Sequence, residues 1–231
     1  MQLGQVGFRM KAYNDLAVVC FASGRYTPLI PRFRFSFRKH SPKVELFIFQ
    51  DESEIGAPLH TDNPYAFKVY AIDKVRQAGY RIVLWCDSVL QLTRPIEELL
   101  PEVVQHGVYL ARDGWATGQF ANDRALQYFG VTRDEAMNIS SIWACFMGFD
   151  FSNPVAHEFF ARWKKACDDG IFRGNWHNHY NTESQDERCK GHRHDQSCAE
   201  LIAHQMKLPL ARPVIYPEPN YDHRFFTGRE W

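Results

Sequence analysis

Residues 81–90 read R-I-V-L-W-C-D-S-V-L, and this stretch decides the fold. An unbroken apolar and aromatic run, residues 82–86, stops at an acid, Asp87. Such a run is the signature of a strand buried on both faces, as in a parallel sheet. The amphipathic stretch before it, residues 65–79, supplies a crossover helix. Ala66, Val69, Tyr70, Ile72 and Val75 fall near helical spacing, Lys68 sits one turn in, and Gly79 suits the C′ position. Asp87 then stands just past the carboxyl end of a central strand, the edge where open α/β sheets bind ligands. The same acid could instead only cap the next turn.

Upstream, residues 16–22 (L-A-V-V-C-F-A) form a first strand that ends in S-G-R-Y-T, residues 23–27. A strand, a small-residue loop and a helix leave backbone N–H groups pointing outward, which makes an anion or nucleotide site. The spaced glycines of a dinucleotide fingerprint and the Lys of a P-loop are both missing. Pro28 and Pro31 suit the first turn of the next helix, residues 29–39. Its Arg32, Arg34, Arg38 and Lys39 read mainly as a solvated face. Residues 44–50 form the next strand.

Downstream, strands are expected at 107–111 and 142–149, with helices at 95–104, 123–129 and 155–166. The alternation of strand and helix with short links predicts an α/β fold: a mostly parallel central sheet with helices on both faces. Residues 168–194 are polar and carry His177, His179, His192 and His194, so they read as a long functional or flexible loop. H-D-Q-S, residues 194–197, opens a last helix, and residues 208–231 form an irregular tail. Residues 1–231 are taken as a single domain.

Lys plus Arg and Asp plus Glu each number 27, so the net charge is zero. That gives no electrostatic case for nucleic acid or for an anionic membrane. No apolar segment has signal-peptide or membrane-spanning length, so a cytoplasmic protein without a membrane span is expected. Cys20, Cys86 and Cys145 lie in apolar runs and read as buried thiols.

Taken together, F-A-S-G-R-Y at 21–26, the helix with Lys68, W-C-D-S at 85–88, W-A-C-F-M-G-F-D at 143–150 and H-D-Q-S at 194–197 resemble a family. Their order is similar to that of GT-A type (Rossmann-like) nucleotide-diphospho-sugar glycosyltransferases, over roughly residues 16–208. The resemblance implies transfer of a sugar from a UDP- or GDP-sugar to a saccharide or other hydroxyl acceptor. It places Ala22, Ser23, Arg25, Tyr26, Lys68, Asp87, Ser88 and Gln196 at the donor, and Asp195 and Asp113 as catalytic or sugar-contacting acids. It also implies Mn2+ or Mg2+, held at the first acid of an Asp-x-Asp motif, because a hard cation neutralises a leaving diphosphate. Asp87 matches that acid, but Val89 stands where the second belongs. His223 is a candidate late ligand or a surface His in the tail. Asp195 and Ser197 also suit helix capping.

Two rivals stand beside this reading. Cys189, His192, His194 and Cys198 offer four Zn2+ ligands within ten residues, though the spacing fits no known module. A non-catalytic nucleotide-sugar binder on the same fold would account for the lost second acid. A serine hydrolase has no G-x-S-x-G elbow here.

Overall fold

The computed structural model describes residues 15–211 and the backbone of residues 226 and 227. The domain is α/β, built on a five-stranded sheet with strand order β2-β1-β3-β6-β5. The strands are β1 (Leu16–Phe21), β2 (Glu45–Phe49), β3 (Ile82–Cys86), β5 (Val108–Ala116) and β6 (Ser140–Asp150). Two short strands, β4 (Gln91–Leu92) and β7 (Phe226–Thr227), pair antiparallel in a separate ribbon.

β1 and β3 are buried along their whole length, as their continuous apolar runs predict. Alternate residues feed two cores. Ala17, Val19, Val83 and Trp85 pack on one side of the sheet. Val18, Cys20, Leu84 and Cys86 pack on the other. α2 (Ala66–Gln77), α6 (Pro154–Asp168) and α7 (Asp195–Gln205) contribute to the first core. α1 (Ile30–His40) and α3 (Leu100–His106) cover the second through Phe33, Phe37, Leu100 and Val103.

The sheet is mixed. β1 runs parallel to β2 and β3, whereas β6 runs antiparallel to both β3 and β5. Four of the five strands therefore share one direction and β6 opposes them. The cause is the link between β5 and β6, which carries only the short helices α4 (Asp123–Phe129) and α5 (Arg133–Ala136). A parallel crossover must return the chain to the opposite edge of the sheet. α4, with seven residues, is about 10 Å long and does not do so. Ser140 instead pairs with Ala116, where β5 ends. The reversal brings the backbone of Ala144 and Cys145 beside the end of β3: the Asp87 amide donates to the Cys145 carbonyl at 2.8 Å.

No helix among the described residues is long and apolar enough to cross a membrane. Most of the expected tail, including His223, lies outside the described residues. Near its start, Ala211 bridges to Ala111 as a parallel extension of the β5 edge.

Candidate active site

The site begins with Lys68. One turn into α2, its side chain points inward and is 4% exposed. The ammonium lies 2.9 Å from the Asp195 carboxylate and 3.7 Å from Asp87. It also donates to the Ala144 carbonyl at 2.9 Å. Three elements, β3, β6 and α7, thus meet on this one cation, which faces the core and not solvent. Burial alone would lower its pKa, but the two carboxylates outweigh that and hold it well above the usual Lys range. Burial lifts the Asp87 and Asp195 carboxyls, and Lys68 pulls both back down.

Asp87 is held at Oδ1, where Lys68 lies 3.7 Å away. Trp85 Nε1 donates to its Oδ1 at 2.7 Å. The side chain keeps 31% exposure, toward a cavity of about 790 Å³. Ser23, Arg25, Tyr26 and Ser88, all expected at the donor, line this cavity with Asp87. Ala22 does not: it is buried in the second core, and its amide continues the sheet by donating to Phe49.

A second cavity, of about 410 Å³, lies against the same charges. Lys68, Asp113, Asp195 and Gln196 line it, so Lys68 and Gln196 belong to this side and not to the expected donor lining. Asp113 accepts from the Trp115 amide at 3.0 Å and from Gln196 Nε2 at 3.4 Å. Burial raises its pKa, against the pull of these hydrogen bonds.

Three residues line both cavities: Asp87, Tyr65 and Trp176. Tyr65 caps α2 in the left-handed region, at φ 60°. Its ring stacks on Trp176 and His194, with centroids 6.2 and 5.2 Å away. Arg193 lies over the Trp176 ring at 3.7 Å. His194, just before Asp195, also holds a positive φ of 51°. Such a backbone costs on the order of 1–3 kcal/mol in a residue with a side chain. It is held by the bond between His194 Nδ1 and the Phe172 carbonyl, 2.8 Å long. Sequence reasoning missed Tyr65, Trp176 and Arg193. The one cue was the turn at Asn63-Pro64 just ahead of Tyr65.

The stretch expected as a long loop is tied to the rest of the domain and to itself. His192 accepts from the Asn122 amide at 3.3 Å, and its other nitrogen meets the Ile171 carbonyl at 3.0 Å. Burial lowers the pKa of both rings, to about 3 for His192 and about 4 for His194, so both are neutral near pH 7. The Cys189 thiol donates to backbone carbonyls. Among the described residues, no three His, Cys, Asp or Glu side chains are grouped to hold a metal ion. Asp87 is a single partly exposed carboxylate, so a hard cation there would need most of its oxygens from a bound ligand.

No protein-family model matches the chain, and a search of curated proteins finds no match either.

Proposed function

We propose that the protein is a glycosyltransferase on a GT-A type fold, moving a sugar from a nucleoside diphosphate sugar to a hydroxyl of a saccharide or other acceptor. The observation that carries this reading is the meeting of two cavities at one buried charge cluster. The larger cavity takes the donor and the smaller one the acceptor, so that the two substrates face each other across Asp87, Tyr65 and Trp176.

In this reading Arg25 and Ser23 meet the diphosphate, and Tyr26 and Phe21 offer rings to the base. Asp113 takes the proton from the acceptor hydroxyl, a task its raised pKa suits. Asp195, fixed by Lys68, stabilises the positive charge that develops on the transferred sugar. A divalent cation, held by Asp87, would neutralise the leaving diphosphate. Holding both substrates in one geometry lowers the barrier further.

Calorimetric titration with UDP- and GDP-sugars, with and without Mn2+, tests the reading. Saturable binding of at least one is expected, and binding of none overturns it. Asp113→Asn should keep donor affinity while losing about 100-fold or more in turnover.

A further inference from the structure

The zero net charge of the chain is not spread evenly over its elements: one helix is basic and free of acids. α1 carries Arg32, Arg34, Arg38 and Lys39, and no acid, in its 11 residues. Its inward face is Ile30, Phe33, Ser36 and Phe37. Arg34, Phe35, Arg38 and Lys39 point outward, and Phe35 is 68% exposed. At about 3.6 residues per turn, Phe35 lies mid-way round the exposed arc, with Arg34 and Arg38 on one flank and Lys39 on the other.

α6 shows what a solvated charged face looks like in this protein. There Arg162, Lys164 and Lys165 each pair with an acid at four-residue spacing. On α1, among the described residues, Arg34, Arg38 and Lys39 have no acidic partner. A single exposed Phe needs no explanation. An exposed Phe flanked by unpaired cations on an acid-free helix has the chemistry of an interfacial segment: an apolar tip for the headgroup boundary and ammonium and guanidinium groups for lipid anions.

We propose that α1 docks the protein on an anionic bilayer surface through Phe35, Arg34, Arg38 and Lys39. This inference is independent of the transferase reading. α1 follows directly on the turn Gly24–Leu29, whose Arg25 and Tyr26 line the larger cavity. Docking therefore brings one wall of that cavity within about a helix length, roughly 16 Å, of the lipid surface.

The test is co-sedimentation of the full chain with phosphatidylcholine vesicles and with phosphatidylcholine–phosphatidylserine vesicles, at low and high salt. Saturable binding is expected only with phosphatidylserine, and salt should weaken it. Replacing Arg34, Arg38 and Lys39 together by Ala should weaken binding roughly 100-fold, at roughly fivefold per charge. Phe35→Ala should weaken it about fivefold with the charge unchanged. All four side chains are exposed, so the variants should melt with the wild type, which is the folding control. No binding to phosphatidylserine vesicles, equal binding to phosphatidylcholine, or unchanged binding by folded variants overturns the proposal. So does capture of single-stranded RNA by this face without vesicle binding.

Discussion

Lys68 Nζ stands 2.9 Å from Asp195 Oδ2, and both side chains are 4% exposed. With Asp87 at 3.7 Å, one buried ammonium serves two carboxylates. Removing one partner of a buried ion pair leaves charge with neither water nor a counter-ion. Lys68→Met should therefore destabilise the fold by about 3–5 kcal/mol, read from urea unfolding. Adding Asp195→Asn on that background should restore part of the loss, since it removes one uncompensated charge. A loss below about 1 kcal/mol would show that the cluster does not depend on Lys68.

Glu200 gives the pH dependence of stability. It is 1% exposed on α7. Its Oε1 accepts from Ser141 Oγ, from the Ile142 amide and from Gln196 Nε2, while Oε2 has no hydrogen-bond partner among the described residues. Burial pushes its carboxyl up to about 7 from the ordinary 4.5. The folded state thus holds this proton more tightly than the unfolded chain does. Its contribution to stability is full below about pH 4.5 and is lost as pH rises through about 7. Glu200→Gln should flatten this part of the pH profile and stabilise the protein at pH 8 by on the order of 2–3 kcal/mol. Urea midpoints between pH 5 and 8 decide it; a variant that follows the wild-type slope rules Glu200 out.

The sequence made legible whatever local periodicity encodes. The run 82–86 announced β3 and put Asp87 just past its carboxyl end, and the spacing from Ala66 to Val75 announced α2. The direction of β6 was not legible, because it depends on which edge of the sheet the 117–139 link reaches. Nor was the inward turn of Lys68: a lone Lys at helical spacing looks solvated until the acids of two other elements are placed beside it. Tyr65 and Trp176 lie more than a hundred positions apart in sequence, and no local pattern relates them. The His-rich stretch drew attention as metal ligands, yet His192 and His194 bond to backbone carbonyls, partners invisible in a sequence.

Trp176 owes its place to Gly191. A Cβ at Gly191 would lie 2.1 Å from the Trp176 carbonyl oxygen, so any side chain there displaces this backbone. The flanking bonds, from the Asn178 amide to Lys190 and from His192 to Asn175, hold the two segments together at 2.9 and 2.8 Å. Gly191→Ala should cost about 1–3 kcal/mol locally. Limited proteolysis between 173 and 193 should then accelerate by about tenfold. Trp176→Ala should leave the proteolysis rate unchanged. Equal cleavage of Gly191→Ala and wild type would remove the close approach as a constraint.

Asp87 sets the expected order of metal binding. Its Oδ1 is engaged by Trp85, and no described residues complete a ligand set around it. A hard cation needs six or more oxygens, and in phosphate sites one or two carboxylates suffice when the substrate supplies the rest. The cation should therefore bind only together with the nucleotide. Titrating Mn2+ alone should give no saturable heat below about millimolar concentration, whereas Mn2+ with UDP or GDP should saturate. Asp87→Ala should abolish the effect of the metal and leave metal-free nucleotide affinity within about threefold, because Arg25 and Ser23 still line the cavity and would still meet the phosphates. Tight Mn2+ binding to the nucleotide-free protein would place the ligands elsewhere, with His223 the first to replace. Nucleotide affinity indifferent to metal in the wild type would leave Asp87 a contact for the sugar and not for a cation.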